Sequence, residues 1–266
     1  MWLVAVPLLA LPASSSNSTG ALLPLPGDAS LQRPLPTPSG ISLTALGGVK
    51  IFNFGLPRTG TTSLHECLTE LGLKALHSNH GEIEDLFPEY DMFKRGMPAP
   101  RFEDALQDND AFGDLPWFAL FENLMSRYGP DAGSAPGIFL ATKRPMADWL
   151  PSVRDHALHW VTPDRPGDTG FWKSYFGEEI VAEAQADGST TKLDELLGAR
   201  WHEHYAQLEA AAAKYNVAVH TLDLSDAAQI PSRLATILGG ALPNSGMLCN
   251  AYSDHQLSLL ALGSGD

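Results

Sequence analysis

Val49 to Leu71, VKIFNFGLPRTGTTSLHECLTEL, decides the fold. Val49, Ile51, Phe52 and Phe54 are apolar and strand-prone, so Val49 to Phe54 reads as a buried strand. Leu64, Cys67, Leu68 and Leu71 recur at i, i+3, i+4 and i+7, which is one face of a helix. The loop between carries Gly55, Pro57, Arg58 and Gly60 with the hydroxyls of Thr59, Thr61 and Thr62. A loop of this kind aims successive backbone N–H groups at one point. The helix start adds its own unpaired N–H groups and the positive end of its dipole, so a phosphate or sulfate is the natural occupant.

The Gly55-to-Gly60 spacing is that of the nucleoside-triphosphate loop GxxxxGK[ST], but Thr61 stands where that motif has its lysine. The cation sits inside the loop instead, at Arg58. In this, LPRTGTTSL resembles the 5′-phosphosulfate loop of the sulfotransferases, where Lys or Arg lies two residues before Gly-Thr. The resemblance implies transfer of a sulfuryl group from 3′-phosphoadenosine 5′-phosphosulfate without a metal. A side-chain cation then supplies the charge stabilisation that Mg²⁺ supplies in kinases.

The chain has 266 residues, enough for one sizeable core and a tail. Its 17 Lys and Arg against 31 Asp and Glu give a net charge of −14. That argues against a nucleic-acid binder, which shows a basic footprint, and weighs against a highly anionic acceptor. Two cysteines, Cys67 and Cys249, make no disulfide scaffold, and Cys67 on the apolar helix face reads as a plain buried thiol. Residues 1–20 hold a short apolar run, Trp2 to Leu11, followed by small residues. This looks like a signal or anchor leader without a basic start, too short to span a bilayer; the other reading is an untranslocated leader. The expected compartment is accordingly the secretory pathway (Golgi lumen or secreted), with the cytoplasm as the alternative. Asn17-Ser18-Thr19 is a glycosylation sequon in that pathway. Residues 21–47, rich in Pro, Ser and Gly, read as a disordered linker ahead of a domain over 48–262.

Along that domain, Gly137 to Thr142 (GIFLAT) reads as a second buried strand and Val217 to Leu222 as a third. Asp110 to Asp114 reads as a short strand ending in a carboxylate, followed by a helix from Pro116. Further helices are expected over Met146 to His159, with Pro151 tolerable only in its first turn, over Leu193 to Tyr215 and over Ile230 to Leu238. Alternating strands and helices predict an α/β fold, a P-loop type three-layer sandwich with a central parallel sheet flanked by helices. Ligands then bind at the carboxyl ends of the strands. Lys74 to Pro100, with His77 and His80 as surface-loop histidines, and Pro163 to Gly177 read as loops shaping an acceptor pocket.

A second signature follows the second strand. In sulfotransferases a strand ends in Arg and a Ser lies eight residues on, and the pair holds the nucleotide's 3′-phosphate; Arg144 and Ser152 match that spacing. Arg suits the task because its fork donates two hydrogen bonds to phosphate oxygens. The RKG-type element that completes the 3′-phosphate site in cytosolic members has no match. The resemblance thus assigns Pro57, Arg58, Thr59, Gly60, Thr61, Thr62, Ser63, Arg144 and Ser152 to the donor. Arg58 is the catalytic cation. Two carboxylates compete as base: Asp114 stands where cytosolic members place His before Leu-Pro, and Glu66 matches the glutamate of glycan-modifying members. Asp114 is favoured.

His202, Glu203 and His204, and the pair His156 and His159, have neither structural-zinc nor HExxH order, so no metal is expected. The sequence therefore reads as a sulfotransferase acting on a hydroxyl or amine of a small molecule or glycan. The alternatives are a P-loop nucleotide kinase or NTPase, against which Thr61 speaks, and a non-catalytic nucleotide-binding domain. Oligomeric state and acceptor are not legible.

Overall fold

The computed structural model describes residues 48–78, 86–133, 136–161, 166–186 and 190–239. The leader, the 21–47 linker, Asn79, His80, Cys249 and the start of the Pro163 to Gly177 stretch lie outside them. Five strands form one parallel sheet in the order β2-β3-β1-β4-β5. These are β1 (Lys50–Asn53), β2 (Ala75–Leu76), β3 (Ala111–Phe112), β4 (Gly137–Lys143) and β5 (Val219–Asp223). β1 is central. Its Ile51 and Phe52 lie opposite Ala111 and Phe112 on one side and opposite Ile138 and Phe139 on the other.

Alternation along the strands sends side chains to two faces, and each face is covered by helices. Ile51, Ala111, Leu140 and Leu222 pack with Leu64, Cys67 and Leu68 of α1 (Thr61–Glu70) and with Ile230 and Leu234 of α9 (Ile230–Ile237). Phe52, Phe54, Phe112 and Phe139 face the other way, where α4 (Phe121–Tyr128), α5 (Met146–Trp160) and α8 (Thr190–Lys214) cover them. Here the Phe52 ring lies 5.2 Å from Phe112 and 5.9 Å from Phe139, within the range of favourable aromatic pairing. The three-layer α/β architecture expected from the sequence is the one observed.

Several local readings need correction. The Pro163 to Gly177 stretch is not a loop where it is described: it holds α6 (Pro166–Phe176), whose Trp172, Tyr175 and Phe176 are buried. Pro151 is the sixth residue of α5, past the first turn, and the helix continues through it although proline has no N–H for the Ala147 carbonyl. The described ends of Lys74 to Pro100 include β2 and α2 (Tyr90–Lys94), and α3 (Pro100–Asp108) follows. Short α7 (Glu178–Gln185) precedes α8. Cys67 is buried, but it is disulfide-bonded rather than a plain thiol.

Candidate active site

The loop after β1 is held rigidly from behind. Asn53 at the end of β1 is buried, and its Oδ1 accepts from the backbone N–H groups of Gly55 (3.2 Å) and Thr142 (2.9 Å). Its Nδ2 donates to Thr142 Oγ1 at 3.2 Å. Thr142, on β4, also meets Thr59 Oγ1 at 2.9 Å, while the Thr59 hydroxyl reaches the Leu56 carbonyl at 2.6 Å. Gly55 is required by this contact: a Cβ there would lie 2.0 Å from Thr142 Oγ1 and 2.4 Å from its carbonyl oxygen. The Trp149 indole of α5 donates to the Pro57 carbonyl at 2.8 Å.

His204 and Tyr205 of α8 brace the same turn. Tyr205 O–H donates to the Thr142 carbonyl at 3.1 Å, and His204 Nε2 donates to the Phe54 carbonyl at 2.7 Å, leaving Nδ1 to accept from the Tyr175 hydroxyl. Burial pushes the His204 imidazole down to about 4 despite the Phe54 carbonyl, so it is a neutral structural group. Burial likewise pushes the Tyr205 and Tyr175 phenols up, so both remain O–H donors. The helical spacing of Tyr205 and His204 was legible in the sequence; their grip on the loop was not.

So held, the loop presents two left-handed residues, Arg58 (φ 70°) and Gly60 (φ 87°). Positive φ is cheap for Gly60 and strained for Arg58, and strain of this kind concentrates at functional sites. Arg58 projects outward, and its Nε donates to Ser152 Oγ on α5 at 3.1 Å.

A cavity of about 350 Å³ opens at this end of the sheet. Pro57, Arg58, Gly60, Thr61, Thr62 and Ser63 line one side of it, and Arg144 and Ser152 another. Asp114 closes it together with Ser78 and Leu115. The structure thus gathers both nucleotide signatures and one of the two candidate bases in a single space. Two expected residues are not in it. Thr59 is fully buried with its hydroxyl turned toward Leu56 and Thr142, and Glu66 is exposed on α1 outside the lining. Neither Arg58 nor Arg144 has a carboxylate partner among the described residues. Neighbouring Lys143 instead lies 5.0 Å over the Trp201 ring and 5.1 Å over that of Tyr205.

Asp114 is buried at φ 61°, just past β3. Its Oδ2 accepts from Ser78 Oγ at 2.6 Å and lies 3.4 Å from His77 Nε2. Oδ1 is buried with no hydrogen-bond partner among the described residues. His77, expected on a surface loop, is fully buried behind the cavity wall, with Nε2 3.1 Å from Thr61 Oγ1. A two-residue strand before it gives no periodicity from which that burial could be read.

α5 and α6 complete the lining with Asp148, Pro151, His156, Trp172 and Phe176. The Trp172 and Phe176 rings are stacked at 4.4 Å. Burial, and then the Arg58 guanidinium, push the His156 imidazole down to about 4, with Asp114 pulling weakly the other way. His156 is therefore neutral near pH 7. A recess of about 270 Å³ with Asp155 and His159 adjoins the cavity and shares Arg58, Ser152 and His156 with it. A larger cleft of about 620 Å³ around Phe93, Met97 and Arg200 contains none of the expected site residues.

Chemically, the cavity offers two guanidiniums without a carboxylate partner among the described residues, five hydroxyls, a helix amino terminus and the carboxylates of Asp114 and Asp148. That set fits a ligand with two separated anionic groups and a reacting group that loses a proton. Among the described residues no three His, Cys, Asp or Glu side chains converge as a metal cage requires. A family model described as a sulfotransferase domain matches residues 50–245, which take in every cavity residue named above. No curated protein matches the chain.

Proposed function

The chain belongs to the sulfotransferase-domain family and is a sulfotransferase, and from that premise we propose that its donor is 3′-phosphoadenosine 5′-phosphosulfate and its acceptor a hydroxyl or amine of a small molecule or glycan. The observation that carries this is the convergence of Arg58 and Arg144, neither with a carboxylate partner among the described residues, on one cavity whose wall includes the buried carboxylate of Asp114. In a chain of net charge −14, two guanidiniums lining one cavity with no carboxylate partner among the described residues call for an anion.

The roles follow from position. Arg58, the Thr61 and Thr62 hydroxyls and the first N–H groups of α1 hold the 5′-phosphosulfate. Arg144 and the Ser152 hydroxyl take the 3′-phosphate; Ser152 can accept from Arg58 Nε while donating its own hydrogen. The Asp114 carboxylate receives the proton of the acceptor hydroxyl or amine as that atom forms its bond to sulfur. The bond from sulfur to the bridging phosphate oxygen breaks, its electron pair stays on the departing phosphate, and Arg58 stabilises that charge. Trp172, Phe176 and Leu115 offer an apolar wall to the acceptor's body, in keeping with an acceptor pocket shaped by the Pro163 to Gly177 stretch. The secretory pathway is our proposal for the compartment. The apolar leader, the Asn17-Ser18-Thr19 sequon and the disulfide-bonded Cys67 support it.

The test is ligand-dependent stability. At a concentration of about 100 times its Kd, 3′-phosphoadenosine 5′-phosphate should stabilise the protein by roughly 2.7 kcal/mol, whereas ATP with Mg²⁺ should leave the melting temperature unchanged. Stabilisation by ATP–Mg²⁺ alone overturns the donor assignment. A mixed acceptor screen with sulfur-labelled donor then identifies what is modified.

A further inference from the structure

The recess beside the cavity is lined by Arg58, Ser152, Asp155, His156 and His159. Arg58, Ser152 and His156 also line the cavity, so the two spaces are continuous. α5 sets these residues in order. Asp148, Ser152 and His156 recur at i, i+4 and i+8 on one face, and Asp155 and His159 extend that face toward the carboxyl end. Arg144 precedes the helix, and Arg58 meets it at Ser152 through the 3.1 Å bond. From Ser152 to His159 the helix rises about 10 Å further, away from Arg144. A donor stretched between Arg144 and Arg58 therefore leaves the recess on the far side of Arg58, next to the sulfuryl group.

The cavity, at about 350 Å³, lies near the lower end of the range for one drug-sized ligand, about 300–1,000 Å³. A nucleotide with two phosphates leaves little of it for a second molecule, so the body of an acceptor extends beyond it. The recess adds about 270 Å³, and every side chain in its lining carries a hydrogen-bonding group. An anionic body meets the Asp155 carboxylate and a cationic one the Arg58 guanidinium, so a neutral body fits best. His156 also joins the recess to the aromatic wall: its ring lies 6.0 Å from that of Trp172, which stacks on Phe176.

We propose that this recess is the acceptor's specificity subsite, in which Asp155, His156 and His159 hydrogen-bond the hydroxyls of a neutral sugar whose reacting hydroxyl lies between Arg58 and Asp114. This rests on the reading of the cavity as the donor site. A sugar ring has two C–H faces and a rim of hydroxyls that both donate and accept. The Trp172 and Phe176 wall suits a face, and the recess suits the rim. A carboxylate accepts from two neighbouring hydroxyls, and a neutral imidazole accepts at one nitrogen while donating from the other. An apolar body would strip water from these groups and offer no partner in return. In transfer, the sugar oxygen bonds to sulfur and its proton passes to the Asp114 carboxylate. The bond from sulfur to the bridging oxygen breaks, and the adenosine bisphosphate departs with that electron pair.

The experiment gives the full chain labelled donor with two acceptor sets. One holds neutral sugars, as methyl glycosides and disaccharides of the same rings; the other holds apolar phenols, para-nitrophenol and naphthol. Labelled sulfate should pass to at least one sugar, with kcat/KM at least about tenfold above that of every phenol. Asp155→Ala and His159→Ala alter no cavity residue. Each should raise the sugar KM by about 3–10-fold, and the double variant by about 10–100-fold, with kcat and the donor KM held within about threefold. Asp155→Asn keeps an accepting oxygen and should stay nearer to wild type. A folding defect would instead lower the active fraction, and hence kcat, without moving the sugar KM. An unchanged sugar KM in the double variant makes Asp155 and His159 a solvated helix face and overturns the subsite. Sulfate on phenols and on no sugar overturns it as well. So does sulfate on neither set while 3′-phosphoadenosine 5′-phosphate still stabilises the protein, and both results leave the donor reading standing. If that bisphosphate does not bind, the donor reading itself fails.

Discussion

Removing the guanidinium of Arg58 separates activity from stability more cleanly than any other change in the molecule. Arg58 is exposed, and among the described residues its side chain is anchored by the 3.1 Å bond from Nε to Ser152. Losing an exposed hydrogen bond costs about 0.5 kcal/mol. Its φ of 70° already strains a non-glycine residue by about 1–2 kcal/mol, which Arg58→Gly relieves. The extra freedom of glycine in the unfolded chain returns about 0.5–1 kcal/mol of that. Arg58→Ala should therefore lose about 0.5 kcal/mol, and Arg58→Gly should fall within about 0.5 kcal/mol of wild type or above it. Transfer should behave quite differently. A donor aimed at developing charge is worth about 2.7–4 kcal/mol of barrier, so both variants should lose about 10²–10³-fold in kcat. Urea unfolding gives the first quantity, and release of labelled sulfate to an acceptor found in the screen gives the second. Arg58→Gly with transfer within about threefold of wild type, or unfolding more than about 2 kcal/mol easier, would refute the placement of Arg58 against ligand rather than fold.

The remaining expectations concern the base, the 3′-phosphate and acid stability. Asp114→Asn should lower transfer by about 10²–10⁴-fold while Glu66→Gln, exposed outside the cavity, leaves it within about twofold; the opposite pattern would move the base to α1. Arg144→Ala should weaken 3′-phosphoadenosine 5′-phosphate by about 10–100-fold, the worth of a charge-assisted pair, and scarcely affect adenosine 5′-phosphate; equal losses in titration calorimetry remove Arg144 from the 3′-site. His204 has a folded pKa of about 4 against 6.5 for the ordinary group, so between those values the unfolded chain binds a proton that the native one refuses. Stability must therefore fall as pH drops through that window, by about 2 kcal/mol between pH 7 and pH 5 from this one group. His204→Phe should abolish that part of the slope while destabilising the protein at pH 7, because the Phe54 carbonyl and the Tyr175 hydroxyl lose their partner. Identical slopes in urea titrations of both proteins would show that His204 is not the acid-sensitive group.

The strand–loop–helix unit was legible because hydrophobic period changes sharply across Gly55 to Gly60, and because the glycines and Arg58 leave few other uses for such a loop. The exposure of Glu66 was also implicit. With Leu64, Cys67 and Leu68 inward, a residue two places past Leu64 points away from that stripe. α6 was not legible: PGDTGFWKSYF has poor helix propensity, and it is helical because Trp172, Tyr175 and Phe176 bury themselves in the core. His77 escaped for the opposite reason. Its burial is fixed by β2 pairing with β3 and by contact with Asp114, 37 places further along, and no local pattern encodes either. Pro151 was misplaced by a rule about isolated helices, whereas α5 is held by Trp149 and Val153 in the core on either side of it.

Why this site needs so much support behind it follows from its charge. Two guanidiniums in one cavity repel each other until an anion arrives, and Arg58 is additionally held in a strained backbone state. Left on a flexible loop, they would separate, and binding would have to supply the energy to reunite them. Instead α5 holds the loop that carries Arg58, and the end of β4 sets where Arg144 leaves the sheet. Trp149 clamps the Pro57 carbonyl, Ser152 receives Arg58, and Arg144 leaves the strand just before the helix begins. α5 is itself tied to α8 by the 2.7 Å pair of Arg154 and Asp194, and α8 holds the other side of the loop through His204 and Tyr205. The repulsion is thus met when the core folds rather than when the donor binds. A preorganised pair of cations stabilises charge that develops during transfer without having to reorganise, which is the condition under which such groups accelerate a reaction.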